Sequence, residues 1–200
     1  MRHLLLLPAL LLATPSLASE LRCDGPFGAD SSEARLIEEF GSANIVTGEV
    51  PGPEGTTVLA TTIYPNDPER RIEVGWWDED SRSQLAYFTV PAADSSPQGV
   101  ALGMTVKDVE ALNEAPFEML GFWWDYGGYA NFTGGRLGVP EEGCMVSVRF
   151  APTADYPQDL DVEAISGDIP VASDEPLLET LDVRVEQVSV SYPDFGASED

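Results

Sequence analysis

Polar and apolar residues alternate through DVRVEQVSVSY, residues 182–192. A period of two marks a strand with one buried face, so this segment predicts a strand. Three earlier runs carry a similar mark, with turn residues between them. Residues 56–64 are rich in β-branched side chains and end at Pro65-Asn66-Asp67-Pro68. Residues 71–77 (RIEVGWW) return, 78–83 turn again, and 84–90 (QLAYFTV) complete a meander. Helical spacing precedes it. Asp30-Ser31-Ser32-Glu33 has the form of a capping box, Leu36, Ile37 and Phe40 follow at helical spacing, and Gly41 closes the pattern.

Beyond a breaker-rich linker at 91–99 the order restarts. Thr105 and Asp108 form a second capping box, Val109 and Leu112 face a core, and Pro116 forbids further helix. Residues 117–124, 129–133 and 144–150 predict three more strands, with the doublets Gly127-Gly128 and Gly134-Gly135 at two of the turns. The acidic, proline-bearing residues 151–174 predict an ordered loop, and Ser173 can cap a short helix reaching Leu181. The expected class is α+β, with strand connections that are all local. Two helix-plus-antiparallel-meander halves, about 19–97 and 98–192, form one globular unit with a final helix and strand. An acidic tail over 193–200 follows. Trp-Trp-Asp recurs at 76–78 and 123–125, which suggests a degenerate repeat, although the echo is out of register with Phe40 and Phe117.

The first residues bear on where such a fold resides. Arg2 and His3 precede the apolar run LLLLPALLLA, which is too short to span a bilayer, and Ser16-Leu17-Ala18 supplies a signal-peptidase site. A signal peptide over 1–18 is expected, and with it a periplasmic or secreted protein. Glu20-Leu21-Arg22 before Cys23 is not a lipobox. In an oxidising compartment Cys23 and Cys144 are expected to pair. The hydrophobic content of 43% supports a packed core, while 35 acidic against 10 basic residues give a formal charge of −25. That balance makes nucleic acid and anionic lipid poor partners. It leaves a cationic protein or ion, or simply a surface kept soluble by charge.

Candidate chemistry is narrow. His3 is the only histidine, so the chain expected after cleavage has no imidazole for a nucleophile pair or a metal site. No phosphate-binding loop is present, and no enzyme activity or cofactor is expected. Two carboxylates beside aromatics, Asp78 next to Trp77 and Asp125 next to Trp124, are the only pair with the look of a glycoside hydrolase. Calcium has two weak options, Asp159-x-Asp161-x-Glu163 and Asp78-Glu79-Asp80, neither with the glycine and distal glutamate of an EF-hand. The aromatics are more informative. Neighbours on a strand point to opposite faces, so one Trp of each pair, Trp76/Trp77 and Trp123/Trp124, must leave the core. With Tyr126 and Tyr129 these four form the candidate binding surface, unless they pack beneath 151–174.

The stretch Gly103-Met104-Thr105-Val106-Lys107-Asp108-Val109-Glu110-Ala111-Leu112, with Pro116 after it, resembles the helix start of small exported bacterial modules. These are the outer-membrane assembly lipoproteins and the β-lactamase inhibitor proteins. The match departs at Asn113-Glu114, where a glycine is usual. A wider run resembles an uncharacterised family of exported bacterial proteins; it takes in Pro116-Phe117, Gly121-Phe122, Trp124-Asp125-Tyr126-Gly127-Gly128 and Gly134-Gly135. The first resemblance implies a helix-plus-sheet unit that binds other proteins without catalysis; the second implies no activity. The resulting expectation is an exported, non-catalytic binding protein, protein-binding or inhibitor-like. Glycan or cell-wall binding through the aromatics is the alternative, and a carboxylate hydrolase comes third.

Overall fold

In the computed structural model, residues 19–52, 55–153, 155–157 and 159–194 are described. The expected signal peptide and residues 195–200 of the acidic tail lie outside them. The chain runs β1 (Ser19–Glu20), α1 (Glu33–Phe40), β2 (Ile45–Pro51), β3 (Thr57–Ile63), β4 (Ile72–Asp78), β5 (Ser83–Thr89) and β6 (Asp94–Ser95). It continues with α2 (Val106–Asn113), β7 (Glu118–Leu120), β8 (Ala130–Asn131), β9 (Met145–Pro152), β10 (Pro170–Ala172), α3 (Pro176–Thr180) and β11 (Val183–Ser191). The class is α+β with antiparallel sheets.

Six strands form the main sheet in the order β2-β3-β4-β5-β11-β9, each antiparallel to its neighbours. A small antiparallel sheet, β10-β7-β8, and a two-residue parallel pair, β1-β6, complete the set. Strand connections are therefore not all local. The neighbour of β5 is β11, and the second half sends β9 and β11 to the main sheet while β7 and β8 go to the small one. The meander of the first half is not repeated. Strand β2 was masked in the sequence by Gly48 at its centre and Pro51 at its end, both poor strand formers. It forms because all seven residues pair with β3, Gly48 opposite Ala60.

Alternation sends one face of the main sheet inward. Ile63, Val74, Leu85, Phe88, Val148 and Val190 are fully buried there, in one cluster with Leu36 of α1, Val109 of α2 and Leu178 of α3. Phe27 stacks on Phe88 at 4.7 Å, and each such buried ring is worth about 1.5–3 kcal/mol. Cys23 and Cys144 are bonded, with Cα atoms 6.3 Å apart across 121 residues. The hydroxyl of Tyr192, just past β11, donates to the carbonyl of Phe27 at 2.6 Å.

The helix starts differ from expectation in instructive ways. The Thr105/Asp108 capping box is present at α2. At α1 the cap is Ser32, not Asp30; Asp30 pairs with Arg35, and Glu33 becomes the first helical residue. At α3 the cap is Glu175. Ser173 instead accepts from the N–H of Phe117 and donates to the carboxylate of Glu110. After α2, Glu114 takes a left-handed φ of 57°, the conformation for which a glycine is favoured. Asn113 is buried there, donating to the carbonyl of Ala115 and accepting from the N–H of Leu137.

Candidate functional site

The outer face of the main sheet carries Glu73, Gly75 and Trp77 from β4, Tyr87 and Thr89 from β5, Ser189 and Gln187 from β11, and Arg149 from β9. A bulge opposite Gly75/Trp76 inserts Ala86, so that Ala86 and Tyr87 both border this face. Gly75 has a packing reason. A Cβ built there would stand 2.1 Å from Cε1 of Tyr87, so only glycine lets the Tyr87 ring lie across the strand. The Tyr87 hydroxyl then donates to Oε1 of Glu73 at 3.0 Å.

A groove of about 670 Å³ runs over this face. Its far wall is the loop after β7, where the chain spends its glycines on close approach. The N–H of Gly128 donates to the carbonyl of Leu120, and the N–H of Phe150 donates to the carbonyl of Gly128. Arg149 Nε donates to the carbonyl of Gly127 at 2.9 Å, and its guanidinium lies 5.5 Å from the centre of the Tyr129 ring. This anchoring on β9 brings Asp125, Tyr126 and Tyr129 to the groove. Among the described residues, Glu73, Glu79 and Asp125 face it together with one cation, Arg149, which itself stands 4.0 Å from Glu186.

The six aromatic candidates separate into three situations. Trp77, Tyr126 and Tyr129 line the groove, with Trp77 46% exposed and its Nε1 donating to the carbonyl of Tyr192. Trp76 borders the groove but is only 5% exposed; strand alternation sets this pair as expected. Trp123 and Trp124 are not on a strand at all, because β7 ends at Leu120. Trp123 has a left-handed φ of 65° and is 51% exposed, its ring against Phe122 and against Tyr156 of the acidic segment. Trp124 turns back, donating from Nε1 to the carbonyl of Gly121 and meeting Tyr126 edge-on at 5.6 Å. Among the described residues, the acidic segment meets Trp123 through the Tyr156 ring, 5.9 Å away.

The carboxylate pair fares less well. Asp125 lines the groove, but Asp78 does not. Asp78 accepts from the N–H of Ser81, and these turn hydrogen bonds hold its carboxyl below the ordinary range. It opens a turn. Asp161 likewise accepts from the N–H of Glu163. Among the described residues no three acids cluster as a metal site would require. Glu73, Tyr87 and Arg149 line the groove without having been singled out in the sequence, and Glu79 was singled out there only as part of a calcium option. The alternation of RIEVGWW already placed Glu73 and Trp77 on one face, and that was the usable signal.

Two predictions arise from this geometry. Trp76 donates from Nε1 to Oγ1 of Thr61 at 3.0 Å, and Thr61 continues to Thr47, which donates to the Glu33 carboxylate. Thr61→Val leaves a buried N–H without an acceptor and should cost about 1–3 kcal/mol, read as a lower urea midpoint with altered Trp emission. The second concerns alkali. Burial, then the Glu73 charge, pushes the Tyr87 hydroxyl up, and burial with nearby acids does the same for Tyr192. A raised folded pKa means the unfolded chain loses these protons first. Stability is intact below the ordinary tyrosine value of about 10 and falls as pH rises above it. Tyrosinate absorbance at 295 nm should show these two rings ionising only beyond that value, or together with unfolding.

Comparison of the chain with protein-family models, with curated proteins and with solved structures finds no match.

Proposed function

We propose that this chain is an exported, non-catalytic protein that binds another protein, in the manner of an inhibitor, through the groove on the outer face of its main sheet. One observation carries the reading. That face is walled by aromatic rings, Trp77, Tyr87, Tyr126 and Tyr129, brought together from both halves of the chain. Concave surfaces with a few large rings and convergent polar groups are where ligands and partner side chains anchor. Absence of catalysis is read from the sequence, which holds no histidine after His3 and no recognisable catalytic motif. Export is supported by the Cys23–Cys144 bond and the signal-like start; no described helix is long and apolar enough to cross a membrane.

Glycan binding is the second reading, favoured by the exposed faces of Trp77 and Tyr126, on which a sugar ring can stack. Selection of a displayed random dodecapeptide library on the wild type and on Trp77→Ala separates the two. Peptides that prefer the wild type by about ten-fold or more are expected. Failure to recover any such peptide, together with fluorescence quenching by cell-wall oligosaccharides, would replace protein binding with glycan binding.

A further inference from the structure

We infer that the occupant of this groove is a basic segment, presenting an arginine or lysine side chain to the rings and to Glu79 and Asp125. The inference rests on the binding reading above and adds the chemistry of the partner. Among the described residues, three acids face the groove and one cation does. Two of the acids have no counter-charge: Glu73 is occupied by the Tyr87 hydroxyl, whereas neither Glu79 nor Asp125 is paired with a cation among the described residues. Arg149 does not neutralise them, since its guanidinium is held by the carbonyl of Gly127, the Tyr129 ring and Glu186. That arrangement also shows, in the groove itself, how a guanidinium is received: over a tyrosine face, with a carboxylate at 4.0 Å.

Complementarity extends beyond contact range. A concavity with a surplus of one sign of charge concentrates the field, and the formal charge of −25 draws a cationic partner toward the whole surface. The two effects are separable, because the second is shared by every acidic patch and the first belongs to Glu79, Asp125 and the rings. A neutral or acidic segment would leave Glu79 and Asp125 partly desolvated without compensation, which costs affinity.

The experiment uses the peptide (Gly-Arg)4 and its neutral isostere (Gly-citrulline)4, which keeps the planar hydrogen-bonding head without the charge. Binding is measured by calorimetry at physiological salt on the wild type, on Glu79→Gln/Asp125→Asn, on Trp77→Ala, and on Glu38→Gln/Glu39→Gln. The last pair lies on the exposed face of α1 and removes the same charge away from the groove. The arginine peptide should bind about ten-fold or more tightly than the citrulline peptide. Affinity should fall by a similar factor in the groove variants and by less than about two-fold in the α1 variant. Equal losses in the groove and α1 variants would overturn the inference, leaving only general attraction to an acidic surface. Equal binding of the two peptides, lost in Trp77→Ala, would overturn the cationic partner while keeping the groove as a binding site. If neither peptide binds and the dodecapeptide selection also fails, the binding reading falls with it.

Discussion

Replacing Cys23 and Cys144 together by alanine should lower unfolding stability by about 4–5 kcal/mol, the effect expected in the chain-entropy model for a long closed loop. The bridge closes 121 residues, more than half of the chain. Without it the unfolded ensemble gains the freedom of that loop, while the folded state keeps most of its contacts. The N-terminal segment is still held by the N–H of Leu21 donating to the carbonyl of Ser95, by Phe27 on Phe88, and by the Tyr192 hydroxyl. The variant should therefore fold to the same structure and unfold in one transition at lower urea. Reductant on the wild type should move the midpoint by a similar amount. A shift below about 1 kcal/mol would mean that the segment restrains the unfolded chain in some other way.

Gly128→Ala should be the most damaging single substitution near the groove, at roughly 3 kcal/mol. Its φ of +83° is a conformation that L side chains rarely adopt, and a Cβ there would lie 1.9 Å from the carbonyl oxygen of Phe150. The backbone strain is about 1–2 kcal/mol, and displacing Phe150 from the carbonyl of Gly128 forfeits a further hydrogen bond of about 1 kcal/mol. Gly134→Ala is the control. Its φ is +88° with nothing within 4 Å of the new methyl, so only the backbone strain applies. Urea midpoints should rank wild type above Gly134→Ala, and Gly134→Ala above Gly128→Ala. Only Gly128→Ala should also weaken groove binding, because Asp125, Tyr126 and Tyr129 ride on that loop. Equal losses in the two variants would show that the contact with β9 does not hold the loop.

What could be read from the sequence follows from whether a local pattern decided the structure. β-Branched content located β3, alternation located β4, β5 and β11, and alternation correctly split buried Trp76 from exposed Trp77 on β4. The same rule gave the wrong account of Trp123 and Trp124. The aromatic run there follows a strand of only three residues, and the backbone turns at Trp123. Strands β2 and β10 were hidden by Gly48, Pro51 and Pro170, since their pairing comes from partners elsewhere in the chain. The groove was half visible. Its rings stood out as large and unpaired with a core, but the meeting of Trp77 with Tyr126 is a tertiary fact. So is the placement of β11 beside β5, and no local propensity encodes it.

That placement has a consequence for how the molecule comes into being. β11 lies between β5 and β9 and comes last of the described strands in chain order, so the main sheet cannot close before residues 183–191 have been delivered. Until residues 183–191 arrive, β5 and β9 each present an open edge, and the β-branched side chains that β11 supplies to the core are missing. Long-range pairing of this kind is slow and late. A chain cut before Val183 should therefore collect as aggregation-prone fragments, not as a smaller stable protein.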